Sequence, residues 1–172
     1  MHIIVLGRCD SYHIDKDGVI LMELLSTQSM RTSLIFIHSG DGGLDAHRQS
    51  MLNRAPNPGD WARFSSDHLT MKDLAYLTAK TGHEFAILRG KNEDILFHGE
   101  ACRCSFDDIL AEKLYNKRLF IYGHSHPSEE TPIPSRQDRE TLKKIGQSES
   151  KLISGRSGVE ITFTTDFFDD IF

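Results

Sequence analysis

From Trp61 onward, apolar and polar positions alternate between the repeat of a helix and the repeat of a strand, with glycines between them. LTMKDLAYLTAKTG predicts a helix over residues 70–81. Thr70 can cap it with Asp73 three residues later, Leu69 and Leu74 sit at the hydrophobic-staple positions, and Gly82 suits the stop. HEFAILRG and NEDILFHGE then read as two strands joined by a Gly-Lys-Asn turn. CSFDDILAEKLYNKR predicts a second helix, with Ser105 and Asp108 as its capping pair. RLFIYGHSHP is a strand that ends on two histidines, SRQDRETLKKIG a third helix stopped by Gly146, and SKLISGRSGVEITFT two closing strand runs around a glycine turn.

Helices and strands in alternation predict an α/β (α+β layered) domain over residues 61–172. Residues 1–60 read as a separate, mostly β or irregular N-terminal extension. HIIVLG, DGVILMELLS and SLIFIHSG are its strand-like runs, HSGDGG and PNPGDW its turns, and DAHRQSMLNRA a short helix. DFFDDIF closes the chain as an acidic, aromatic terminal strand or docking segment.

Composition narrows the function classes. The chain of 172 residues has 38% hydrophobic and 26% charged content, the profile of a globular protein with a core. Lys+Arg 20 against Asp+Glu 25 gives a formal charge of −5, and no basic stripe appears, which argues against nucleic acid as a direct partner. The N-terminus lacks the basic start and the small-residue cleavage site of a signal peptide, and no apolar run has the length of a membrane span. Cys9, Cys102 and Cys104 make a poor disulfide framework. The expectation is a cytoplasmic protein with reduced thiols and no membrane partner.

The candidate chemistry lies in IYGHSHPSEETPIPSRQD. Residues i and i+2 of a strand share a face, so His124 and His126 project side by side, about 7 Å apart at the backbone. That spacing lets both imidazoles reach one ion, and Pro127 then turns the chain. Asp138, in the first turn of the following helix, is a candidate third ligand. Ser135 and Asp138 also form a helix-capping pair of the kind expected at Thr70/Asp73, and a carboxylate at a helix start can serve both roles.

His124-Ser125-His126-Pro127 followed by Ser135 and Asp138 resembles the signature of the JAMM-type (MPN/JAB domain) zinc metalloproteases. Glu84 matches the family's upstream glutamate, at the start of a strand after a helix and ahead of a second strand, a helix and the His-x-His strand. The resemblance covers roughly the last two-thirds of the chain. It implies an MPN/JAB-like mixed β-sheet flanked by helices. It also implies zinc held by His124, His126 and Asp138 with water as fourth ligand, Glu84 as general base and Ser135 as hydrogen-bond donor to the oxyanion. The implied reaction is hydrolysis of a peptide or isopeptide bond in a protein or peptide substrate, ubiquitin-like conjugates among them. Two features depart from the pattern. The stretch Pro127 to Pro134 has one residue more than the family's seven, and Phe85-Ala86-Ile87-Leu88 replaces the usual Gly-Leu-Leu after the glutamate. Residues 1–60 have no counterpart in it.

Other histidines and cysteines carry less. His98-Gly99-Glu100 lacks the Cys-x-x-Cys of the zinc deaminases, and a structural zinc on His98, Cys102 and Cys104 lacks a fourth ligand. His2, His13, His38, His47, His68 and His83 are scattered, and His83 should face away from Glu84 in the same strand. A catalytically silent scaffold of the same fold is the alternative function, but it has no chemical need for the five motif residues together.

Overall fold

The computed structural model describes residues 4–6, 12–14, 20–23 and 44–166. In chain order these contain β1 (Ile4–Leu6), β2 (Tyr12–Ile14), β3 (Ile20–Glu23), α1 (Ala46–Arg54), β4 (Trp61–Ser65), α2 (Met71–Thr81) and β5 (Phe85–Gly90). Then follow β6 (Glu93–His98), β7 (Cys104–Phe106), α3 (Asp108–Tyr115), β8 (Leu119–His126), α4 (Arg136–Ile145), β9 (Glu149–Ser154) and β10 (Glu160–Thr164). The predicted strand SLIFIHSG and the closing residues 167–172 lie outside the described residues, as do Cys9, His2 and His38.

The centre is a six-stranded mixed sheet in the order β10-β9-β8-β5-β6-β4. β8 and β9 are parallel and joined through α4, while the other pairings are antiparallel. Apart from the sheet, β1 pairs with β7 and β2 with β3.

Alternation along β5 shows how the layers form. Phe85 and Ile87 join a core with Leu74 and Leu77 of α2 and Met51 of α1. Ala86 and Leu88 join the opposite core, with Leu110 and Leu114 of α3 and Leu142 and Ile145 of α4. Helices therefore cover both faces of the sheet, and β5 from Phe85 to Leu88 and β8 from Gly123 to His126 are buried on both sides, whereas Phe120 of β8 is exposed. Burial of each large apolar side chain contributes about 1.5–3 kcal/mol.

The helix ends follow their residues closely. Thr70 and Asp73 form a capping box at α2, Ser135 and Asp138 another at α4, and Gly82 and Gly146 close these helices in the left-handed conformation, at φ 73° and 64°. Leu69, at the staple position, is buried with Leu74.

The Ser105/Asp108 cap is not formed. Cys104–Phe106 is strand β7, and Ser105 sits opposite Val5 of β1. The helix consequently starts later, and Asp107 is its cap. One Asp107 oxygen accepts from Leu110 N at 2.8 Å, while the other accepts from the Trp61 indole at 2.9 Å. Strand β4 went unpredicted, although Ala62 and Phe64 are buried between the exposed Arg63 and Ser65.

One irregularity in the central pair decides which way the histidines face. Ile87 lies opposite Gly123, but Leu88 lies opposite Ile121, so Tyr122 is an extra residue in β8. This bulge shifts the alternation by one. Leu119 and Ile121 face the core under α3 and α4, and after the bulge His124 turns to that same side, its ring 6.0 Å from Phe163. Gly123 and Ser125 face α2 instead. A Cβ at Gly123 would lie 2.5 Å from the Met71 sulfur, so a larger residue there would require the Met71 side chain to move.

Candidate metal centre

The parity shift in β8 and the start of α4 bring three predicted residues together. His124 Nε2 lies 3.3 Å from Asp138 Oδ1, and His126 Nε2 lies 3.7 Å from Asp138 Oδ2. One ligand atom from each of His124, His126 and Asp138 falls within 4.8 Å of the others, and all three residues are buried. Among the described residues this is the one group of three or more that could hold a metal ion in this way. The eight-residue stretch Pro127–Pro134 therefore still delivers Asp138 to the histidines.

Glu84, on the last residue before β5, is buried too. Its alternation with Phe85 places it on the histidine side of the sheet, with Oε1 4.0 Å from His126 Nε2. Its backbone is pinned from both sides: Glu84 N donates to Glu100 O at 2.9 Å, and Gly99 N donates to Glu84 O at 2.8 Å. Ser135 caps α4. Its hydroxyl accepts from Asp138 N at 3.1 Å, and its own N–H donates to Asp138 Oδ2 at 2.7 Å. The cap thus fixes the orientation of the carboxylate that faces the histidines, so capping and ligation are both within reach of Asp138.

The donor set fits a divalent cation. Both ring nitrogens of His124 and Nε2 of His126 are buried without a hydrogen bond. Tetrahedral bonds of about 2.0–2.1 Å put neighbouring donors about 3.4 Å apart, close to the two separations above. Two imidazoles and a carboxylate suit zinc and several other first-row metals, so the set alone does not choose among them.

Two further residues belong to this site and were not singled out from the sequence. Ser125, between the histidines, points to the other face. Its hydroxyl accepts from Phe85 N at 2.8 Å, lies 3.3 Å from Phe85 O, and meets Thr78 Oγ1 of α2 at 2.6 Å. This ties the histidine strand to the residue next to Glu84. Glu129, in the loop after Pro127, places Oε2 3.2 Å from His126 Nδ1 and accepts Ile133 N at 2.9 Å through the same oxygen. Nothing in the spacing of Ser-Glu-Glu-Thr distinguishes Glu129 from Glu130, whose side chain pairs outward with Arg156 at 3.4 Å.

The alternative zinc residues do not assemble. His98 uses Nδ1 on the Ala55 carbonyl and Nε2 on His83 Nδ1, both at 2.8 Å. Burial pushes the Cys104 thiol well above its ordinary pKa, and the nearby Glu84 and Asp138 carboxylates push it the same way, so it stays protonated. His47 and His68 lie at the surface, their rings 4.9 Å apart.

A scan against protein-family models and searches of curated proteins and of solved structures found no match. Among the described residues, no helix is long and apolar enough to cross a membrane.

Proposed function

We propose that this chain is a zinc-dependent hydrolase of peptide or isopeptide bonds, with His124, His126 and Asp138 as its metal ligands. The observation that carries the reading is the set of three buried imidazole nitrogens without hydrogen bonds, gathered beside a buried carboxylate. Leaving such a group unsatisfied costs about 1–3 kcal/mol. A cation removes that cost, whereas a metal-free scaffold has no use for the arrangement.

Zinc bound here would supply a water whose pKa is lowered to about 7. Glu84 borders the ligand atoms from the β5 side, where it takes a proton from the attacking water and later delivers it to the leaving amine. The Ser135 hydroxyl, held at the head of α4, donates to the carbonyl oxygen as negative charge develops on it. The substrate is a protein or peptide. The resemblance of His124-Ser125-His126-Pro127, Ser135, Asp138 and Glu84 to the JAMM-type motif favours an MPN/JAB-like fold and a ubiquitin-like conjugate.

Metal analysis by mass spectrometry on protein purified without chelator tests this first. The expected result is one zinc per chain in the wild type, lost in His126→Ala. Glu84→Gln should keep the zinc and lower hydrolysis of isopeptide-linked substrates by about 10²–10⁴-fold. A wild-type protein that takes up no zinc even when it is supplied would overturn the reading and leave the scaffold alternative.

A further inference from the structure

The two histidines of the centre are not held alike. His124 makes no hydrogen bond through either ring nitrogen, whereas His126 has a partner on Nδ1, the carboxylate of Glu129. The Glu129 oxygen concerned, Oε2, also accepts the backbone N–H of Ile133 at 2.9 Å. A carboxylate oxygen that already accepts the Ile133 N–H acts as an acceptor here too, so in the metal-binding form of the ring the hydrogen sits on Nδ1. Nε2 then carries a lone pair, and it is this atom that faces Asp138 and Glu84, at 3.7 and 4.0 Å.

We infer that Glu129 is a positioning residue that fixes the tautomer and ring orientation of His126 for metal binding through Nε2. The inference rests on the metal reading given above and adds a residue that the sequence motif does not contain. Carboxylates that accept from the far nitrogen of a ligating histidine commonly matter to metal affinity by 10–100-fold.

The place of Glu129 in the chain supports the role. Its backbone carbonyl accepts from the Ser154 hydroxyl, at the end of β9, and Ser154 lies opposite His126 in the β8–β9 ladder. The neighbouring Gly155 N–H donates to the His126 carbonyl at 2.9 Å. Through the Ile133 bond, the same carboxylate also holds the middle of the loop that leads to Ser135. Glu129 therefore connects three parts of the centre: the second histidine, the end of β9 and the approach to the α4 cap.

Zinc titration and histidine ring NMR on the full chain test the role without reference to activity. In wild-type protein labelled with ¹⁵N-histidine, the long-range ¹H–¹⁵N spectrum should show His126 protonated at Nδ1, with Nε2 unprotonated before zinc is added and shifted once it is bound. Glu129→Ala should bind zinc 10–100-fold more weakly. Glu129→Gln, whose amide oxygen can still accept from Nδ1–H, should recover most of that loss. The NMR measurement stands even if Glu129→Ala fails to fold. The inference is overturned if the His126 proton resides on Nε2, if Glu129→Ala binds zinc as tightly as the wild type, or if the wild type binds none. Wild-type zinc binding with the predicted tautomer but no hydrolysis would sink the hydrolase reading and leave this one standing. Hydrolysis with an unaffected Glu129→Ala affinity would do the reverse.

Discussion

At the scale of single residues, Ser125 is a tightly held hydroxyl. It is fully buried, satisfies the Phe85 N–H, and meets Thr78 across the strand–helix interface. Ser125→Ala leaves the buried Phe85 donor without this partner, which should cost about 1–3 kcal/mol of stability. Because Ser125 faces away from the ligand atoms, zinc stoichiometry should not change. Because it anchors the residue next to Glu84, the proposed hydrolysis should fall. Urea unfolding together with metal analysis separates these effects, and an unchanged urea midpoint would show that the hydroxyl network does not hold this end of β5. Only part of this was legible in the sequence. His124, His126, Asp138, Ser135 and Glu84 stand out because their side chains suit metal chemistry and fall at recognisable offsets. Ser125 and Glu129 do not, since a serine inside a strand and a glutamate inside a loop reveal their roles only once β5 and α4 have been packed against them.

At the scale of elements, a helix start is legible where a short polar residue outside a strand has an acidic partner three positions on. Thr70 and Ser135 satisfy that condition, and both caps form as their residues predict. Ser105 fails it because β1, remote in sequence, recruits Cys104–Phe106 into a ladder, and local pattern holds no trace of that pairing. The two competing caps predict different mutant stabilities. Asp107→Ala removes both the α3 cap and the acceptor of the Trp61 indole, so it should cost about 0.5–2 kcal/mol. Ser105→Ala removes neither bond and should stay within about 0.5 kcal/mol of wild type. Chemical denaturation of both variants checks the assignment, and a larger loss at Ser105 would restore the earlier cap. Strand β4 escaped for a related reason: five residues between a turn and a helix offer too few periods to stand out.

At the scale of the whole molecule, His98 and His83 link α1, β6 and the junction between α2 and β5. The Ala55 carbonyl takes the His98 Nδ1–H, so the neutral His98 accepts from His83 through Nε2. Burial lowers the pKa of both rings from the ordinary value of about 6.5. A group that the fold keeps neutral contributes stability that is fully present above its unfolded pKa and is lost as pH falls through the folded one. The urea midpoint should therefore decline as pH drops below about 6.5. His83→Asn, compared with wild type under the same metal-free conditions, should flatten that decline, and parallel curves would show that the pair does not govern acid sensitivity. The bulge at Tyr122 has a different kind of global consequence, one that concerns how this protein can change length over time. A sheet reads sequence modulo two, whereas a surface loop does not. One residue gained or lost between Leu119 and Gly123 would turn both histidines toward α2, and Asp138 could not follow. One residue gained between Pro127 and Pro134 would lengthen a loop and leave the facing of both histidines unchanged. Insertions and deletions are therefore tolerable on one side of His126 and disabling on the other, even though the two stretches are only a few residues apart.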